Sequence, residues 1–331
     1  MKILLGGARD NNIIDQVKEN LIFHGYEVID ITLDNDYKYK NFGEKLINFF
    51  NKTLLNSLQY KAKLRINDQY PNIIEKIKTE NITHGLIIRP DRFPLEFVSF
   101  LRSEIEYLVG YQWDGMYRFP EVKKYKKFFN KFFVFDPVDV TKTTFPTTNF
   151  YFDHLQRIPV KKGQVYFIGR FFKNRINKIE ELAKIIKDNA LDTKFLVHDP
   201  KNKLNDKQLK DVDLITEITY GENLKNVLES EVIVDFMNVV HHGLSFRAFE
   251  ALGYDKKLIT NNPNVKFYDF YHPHNIFVWE DSFDGLAEFL KKPYHQLPTE
   301  IKEKYGFKNW ISYMLNLPKH QKIDLPKEYT K

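Results

Sequence analysis

The stretch that most constrains this chain is residues 232–262, VIVDFMNVVHHGLSFRAFEALGYDKKLITNN. It opens on an apolar run, Val232, Ile233 and Val234, that ends at Asp235; such a run bounded by polar residues reads as a buried strand of a parallel sheet. A loop with His241, His242 and Gly243 follows. From Ser245 the period changes, and Phe246, Phe249 and Leu252 fall on one side of a helix that Ser245 can cap and Gly253 can stop. Residues 257–260 read as a second buried strand. Together these elements predict an open α/β sheet with a glycine turn and a helix start at the carboxyl end of a strand. A doubly wound sheet binds phosphate-bearing ligands there.

Arg247 lies in the first turn of that helix and Glu250 three residues on, so both can face one crevice. A guanidinium in that place can fork onto a phosphate, and a carboxylate can accept both hydroxyls of a ribose. An i,i+3 ion pair on the surface is the plainer reading of the same two residues.

The first half repeats the strand-and-helix pattern. Residues 3–5 form a strand running into Gly6, Gly7 and Ala8; Ile13, Ile14, Val17, Leu21 and Ile22 have helical spacing, and residues 28–31 give the next strand. Two glycines are too few for a dinucleotide fingerprint, which argues against a bound dinucleotide. Residues 41–61 carry a helical stripe of Leu46, Ile47, Phe50, Leu54, Leu55 and Leu58. The strand at 86–88 ends in Arg89-Pro90-Asp91, a candidate site by position or a loop ion pair. A helix at 95–104 and a strand at 105–109 lead into Gly110-Tyr111-Gln112-Trp113-Asp114-Gly115. Tyr111 and Trp113 can stack on a sugar ring, and Asp114 is a candidate base for an attacking hydroxyl that is too weakly acidic to ionise unaided. Equally, Trp113 is a core residue and Asp114 caps a turn. Residues 121–131, EVKKYKKFFNK, set lysines against Tyr125, Phe128 and Phe129 in the pattern of an amphipathic helix for anionic lipid, with a solvated helix face as the ordinary alternative.

Residues 154–163, with Pro159 and Lys161-Lys162-Gly163, read as an interdomain linker. The strand at 165–168 ends at Gly169-Arg170, and Lys173 and Arg175 stand just before a helix at 176–188. Three cations around a helix start suit a diphosphate; a solvated basic loop is the competing reading. Strands at 195–197, 213–218 and 276–278 complete the second half. His272 and His274 lack a third ligand at helical spacing, so no metal is expected. The length of 331 residues suits two domains, and a net charge of +6 suits anionic ligands or lipid without demanding nucleic acid. The absence of cysteine excludes disulfides and thiolate chemistry. The amino-terminal apolar run is too short for a signal peptide and no run is long enough to span a bilayer, which predicts a cytoplasmic protein.

Asp235, the Gly243-Leu244-Ser245 turn, Arg247, Phe249-Glu250-Ala251-Leu252-Gly253, Lys256-Lys257-Leu258-Ile259-Thr260, Tyr268-Asp269-Phe270-Tyr271 and Asn275-Ile276 together resemble one known pattern. It is the nucleotide-sugar-binding half of bacterial GT-B glycosyltransferases of lipopolysaccharide and capsule assembly. The resemblance implies two Rossmann-like doubly wound domains facing across a cleft. Residues 1–155 would bind the acceptor and 156–305 the nucleotide sugar, and 306–331 would form a helix crossing back to the first domain, with Trp310 and Tyr313 packing there. It further implies that Arg247, Arg170 and Arg175 meet the donor phosphates, with Gly243 and Ser245 forming the turn beside them. Glu250 would hold ribose, backbone near Tyr220 would meet the nucleobase, and Asn275 would belong to the donor side. Gly6 and Gly7 would face the acceptor, alongside Arg89, Tyr111 and Trp113. Members often carry Gln where His241 stands, and retaining members commonly carry Glu at His242; both histidines are candidates to touch the donor sugar. The donor is then a substrate, with no cofactor and no metal. The acceptor is a glycan or lipid-linked glycan, peripheral contact with the inner face of the membrane is an option, and nucleic acid is not a partner. The rivals are a sugar-nucleotide epimerase on the same scaffold and a non-catalytic protein binding lipid or nucleic acid.

Overall fold

The computed structural model describes residues 1–9, 12–34, 37–54, 59–199, 209, 211–238 and 240–327. Its first half contains strands β1 (Lys2–Gly6), β2 (Glu27–Asp30), β3 (His84–Ile88), β4 (Tyr107–Gln112), β5 (Lys131–Val134) and β6 (Phe145–Pro146). They pair in the order β2-β1-β3-β4-β5-β6, every pair parallel. The second half contains β7 (Gln164–Arg170), β8 (Asp192–His198), β9 (Asp213–Ile215), β10 (Val232–Asp235), β11 (Lys257–Thr260) and β12 (Ile276–Val278). Their order is β12-β11-β10-β7-β8-β9, again all parallel. Parallel neighbours need long crossovers that cover both faces of a sheet, which is why the strands are continuous apolar runs such as Leu86-Ile87-Ile88 and Val232-Ile233-Val234. The winding reverses once in each sheet, between β1 and β3 and between β7 and β10. These are the topological switch points.

One compact unit is Met1–Thr147 with Ile311–Leu325; the other is built on Thr148–Trp310. The first has a core that includes Leu4, Ile87, Leu108 and Phe132, the second one that includes Val165, Phe195, Val234 and Ile259. The boundary near the carboxyl end falls inside the helix Phe307–Met314. Tyr313 joins the first unit, donating its hydroxyl to the Pro146 carbonyl at 3.0 Å and packing on Phe133. Trp310, expected beside it, stays in the second: its ring nitrogen donates to the Thr148 carbonyl at 3.0 Å and its ring lies 4.3 Å from that of Phe150.

Three local expectations are corrected. Residues 121–131 are not an amphipathic α-helix but two 3-10 turns, Pro120–Lys124 and Lys126–Phe128, that lead into β5. Val122, Tyr125 and Phe129 are buried, and Phe128 packs against the same core. The step of three from Val122 to Tyr125 to Phe128 is the 3-10 period. The Tyr125 hydroxyl donates to the Phe93 carbonyl at 2.7 Å and accepts from Gln59 at 2.8 Å, so the aromatic side of this segment is core and is closed to lipid. Gly253 is the last residue of the helix Phe246–Gly253 and not a left-handed stop after it. Its role is close packing: a Cβ there would lie 2.1 Å from the Tyr151 ring. Ser245 occupies the N-cap position, but its hydroxyl makes no cap hydrogen bond.

The stripe at 41–61 becomes the helices Phe42–Leu54 and Gln59–Gln69, and Leu55 and Leu58 lie outside the described residues. Among the described residues no helix is long and apolar enough to cross a membrane.

Candidate functional site

The carboxyl ends of β7 and β10 meet at the switch point of the second sheet, and the helix Phe246–Gly253 brings Arg247 onto both. Its Nη2 donates to the Ile168 carbonyl at 2.6 Å and its Nη1 faces Asp235 Oδ1 at 3.4 Å. Arg175, the residue ahead of the helix Ile176–Asp188, turns to the same place, donating from Nη2 to the Met237 carbonyl at 2.6 Å and lying over the Phe172 ring. Burial pulls the Arg175 pKa below its ordinary value, and the charge of Asp235 opposes that pull. Two guanidinium groups thus converge on the end of β10, while Arg170 ends β7 exposed to solvent.

Glu250, one turn after Arg247, is wholly buried. Its Oε1 accepts from the Tyr220 hydroxyl at 2.5 Å, and its Oε2 has no partner. Burial pushes the Glu250 carboxyl up from its ordinary pKa; the Tyr220 hydrogen bond and the Arg247 charge pull against that, and Asp235 adds to it. Burial, with the neighbouring Glu250, likewise raises the Tyr220 phenol far above its usual value. Tyr220 is set by a capping box. The Thr219 hydroxyl accepts from the Glu222 amide at 3.2 Å and the Glu222 carboxylate accepts from the Thr219 amide at 2.8 Å, which fixes the first turn of the helix Tyr220–Glu229. Ser245 Oγ, at the start of the helix that carries Glu250, is a second buried oxygen without a partner. Gly243 is buried in the loop ahead of it, and His241 and His242 are half-buried there. The His241 amide donates to the Asn238 carbonyl at 2.9 Å, and the His242 carbonyl accepts from Asn264 at 3.1 Å.

Asn275 does not join this group. It precedes β12, at the amino end of the sheet, and its amide is engaged on both sides by His295: Nδ2 donates to that carbonyl and Oδ1 accepts from that amide, each at 2.8 Å. It clamps two backbone segments together. The neighbouring His272 accepts at Nδ1 from the His274 amide and stacks on His295 at 3.9 Å, and no group of side chains among the described residues is placed to hold a metal. A cavity of about 420 Å³ lies at this amino end too, lined by Gly163, Glu231, Lys256, Lys257 and Tyr294 among others, well away from Arg247 along the strands.

In the first unit, Gly6 ends β1, Gly7 follows it and Arg89 follows β3, so all three sit at that sheet's switch point. A Cβ on Gly6 would lie 2.6 Å from Ile87 Cδ1 and one on Gly7 2.8 Å from Ile14 Cδ1, so both glycines pack closely against the ends of core side chains. Arg89, buried and in the left-handed region at φ 57°, forks onto Asp91 at 2.9 and 2.7 Å, reaches Asp114 at 2.5 Å and lies 3.7 Å from the Phe119 ring. Burial alone would pull Arg89 down; the hydrogen bonds and charges of Asp91 and Asp114 outweigh it and leave its pKa above the ordinary value. Asp114 has one oxygen on Arg89 at 2.5 Å and the other 4.0 Å from Arg118, with 22% of its side chain exposed. Tyr111 is completely buried in β4 and is no stacking platform, whereas Trp113, just past the strand, is half-buried.

No family model matches the chain, and no curated protein matches it. Solved structures do. An alpha-glucosyltransferase in complex with UDP-glucose and DNA containing an abasic site aligns at TM-score 0.52 and 10% identity over 96% of this chain and 93% of that one. The lipopolysaccharide outer core galactosyltransferase WaaB in its apo form gives 0.52 and 10% over 94% and 98%. A UDP-GlcNAc 2-epimerase from Neisseria meningitidis bound to UDP-GlcNAc gives 0.53 and 12% over 96% and 99%. The fold is GT-B. Identities this low speak for the fold alone, and a GT-B scaffold carries both transferases and an epimerase among these neighbours.

Within the GT-B fold three links join residues that local spacing does not connect. The Thr219-to-Glu222 capping box was legible as S/T-x-x-E, but the Tyr220 hydroxyl on Glu250 was not, because those residues are far apart in the chain. Arg175 on the Met237 carbonyl and Arg89 over Phe119 had no signal in local spacing either.

Proposed function

We propose that the chain is a glycosyltransferase that moves a sugar from a nucleotide-sugar donor, held by the second unit, to a surface glycan of the lipopolysaccharide or capsule type. One observation carries the reading: Arg247 ties together the carboxyl ends of the two switch-point strands while Glu250, a turn later, keeps a buried oxygen without a partner. Ligands of doubly wound sheets bind at that point. Arg247, backed by Arg175 and with the exposed Arg170 at the rim, neutralises the diphosphate. The helix start at Ser245 offers backbone N–H groups and an unpartnered hydroxyl to phosphate oxygens. Glu250 Oε2 accepts a ribose hydroxyl while Tyr220 holds the other oxygen. Positive charge gathered on the departing diphosphate stabilises the negative charge that develops as the sugar–phosphate bond breaks. His241 and His242 meet the donor sugar, and the switch point of the first unit, with Trp113, takes the acceptor. No cofactor or metal takes part in this reading. The acceptor class rests on the sequence resemblance; the fold, shared alike with WaaB and with a DNA-bound glucosyltransferase, does not choose it.

The test is a thermal-shift screen of UDP-, GDP-, CMP- and ADP-sugars on the wild type, Arg247→Ala and Arg247→Lys. A ligand at about a hundred times its Kd adds about 2.7 kcal/mol, a rise of several degrees. One nucleotide class should shift the wild type, and the shift should vanish in the alanine variant and shrink in lysine, which keeps the charge and loses the fork. No shift with any donor, or an undiminished shift in Arg247→Ala, sinks the reading. Release of nucleoside diphosphate only when an acceptor glycan is present separates transfer from epimerisation.

A further inference from the structure

The helix Phe42–Leu54 has no buried residue, and Phe42, Leu46, Ile47, Phe49, Phe50 and Leu54 are all exposed, Phe42 to 77%, Leu54 to 74% and Phe49 to 59%. At about 100° per residue these six side chains share one arc of about 160°. The residues turned partly inward are Glu44, Asn48 and Asn51, from the opposite arc. Glu44 is fixed there, accepting from the Tyr37 hydroxyl at 3.0 Å and the Lys40 amide at 2.8 Å. The helix is therefore mounted inside out, polar side to the body and apolar side to solvent. Its remaining charged residues, Lys45 and Lys52, are exposed and lie side by side on the wheel at the edge of the apolar arc, next to Phe49.

We infer that this face is a docking surface for an anionic lipid bilayer, with the phenyl and leucyl side chains entering the headgroup boundary and Lys45 and Lys52 meeting lipid phosphates. An apolar arc bordered by lysines on a helix lying in the interface plane is the chemistry such surfaces select. Charge complementarity decides between occupants. An antiparallel two-fold contact with a second copy would set the same two lysines against their equivalents, whereas an anionic surface neutralises them. Six exposed large apolar side chains on one face of one helix mark an interaction site. The inference stands apart from the sugar-transfer reading and involves none of its residues.

The experiment is vesicle flotation of the full-length protein with phosphatidylcholine alone and with phosphatidylcholine mixed with phosphatidylglycerol. The wild type should float with the mixed vesicles and weakly with the neutral ones. Phe49→Ser with Phe50→Ser should lower partitioning about tenfold or more. Lys45→Ala with Lys52→Ala should lower it about fivefold per lysine on mixed vesicles only. Both variants should keep the wild-type melting temperature, since the altered side chains are exposed. Failure of the wild type to float, or equal flotation of the phenylalanine variant, overturns the inference. So does self-association in sedimentation that the serine pair abolishes while vesicles go unbound, because a second copy would then be the occupant.

Discussion

Replacing Glu250 with glutamine changes one atom in the second unit and should stabilise the ligand-free protein. The carboxylate is 0% exposed, with one oxygen on the Tyr220 hydroxyl and the other unpartnered. An amide keeps Oε1 for Tyr220 and leaves a neutral group where the orphan oxygen stood. An unmet neutral polar group costs about 1–3 kcal/mol and an unmet charged one more. The Arg247 attraction lost with the charge offsets part of that difference, so the net gain is on the order of 1 kcal/mol, or about 2–4 °C for a unit of this size. The pH dependence fixes the cause. Burial raises the folded-state pKa of Glu250, so what the wild-type group contributes to stability is fully present below its unfolded value, about 4.3, and is lost as pH rises through the raised value. Glu250→Gln should match the wild type near pH 4 and exceed it near pH 8. Circular dichroism melts across that range read the effect, and the same variant should bind the nucleotide sugar about tenfold more weakly, since one ribose hydroxyl meets a donor instead of an acceptor. A lower melting temperature at pH 8, or a gain that does not vary with pH, would refute the reasoning.

Two further substitutions test the packing and electrostatics around this helix. Gly253→Ala places a methyl group 2.1 Å from the Tyr151 ring and should cost about 1–3 kcal/mol in urea unfolding, with Tyr151→Leu in the same chain recovering part of the loss. Lys256, buried with its ammonium on the Leu228 carbonyl at 2.7 Å, has its pKa pulled down to about 8 by burial. A lowered pKa means that its stabilising share is present above the unfolded value, about 10.4, and is lost as pH falls through about 8. The stability of the wild type relative to Lys256→Met should therefore rise between those two pH values, as denaturant midpoints would show, and a flat difference would remove the argument.

What was legible in the sequence follows from what local sequence encodes. Strands such as Leu86-Ile87-Ile88 and Val232-Ile233-Val234 stand out because burial on both faces makes them apolar without interruption. The same property hid Tyr111. A strand covered on both sides has no polar alternation to tell which side chains escape, so an aromatic at its end reads alike whether it faces a ligand or the core. Residues 121–131 misled because over so short a run a period of three and a period of 3.6 put Val122, Tyr125 and Phe128 on the same side. Asn275 was decidable: it stands before β12, and ligands bind beyond the other end of a parallel strand.

Arg247 and Glu250 were readable as a pair on one turn, but not in their partners. Those are Ile168, far upstream, and Tyr220, on the preceding helix, and only the parallel pairing of β7 with β10 brings the first within reach. The helix Phe42–Leu54 marks the same boundary from the other side. Periodicity establishes that a helix has two faces and says nothing about which one the rest of the chain will cover. Here Tyr37 and the Lys40 amide hold the polar face through Glu44, and that tertiary choice leaves the apolar face outward. Wherever a polar anchor of this kind claims the inner side, an amphipathic pattern in sequence should be read as a surface looking for a partner and not as a piece of core.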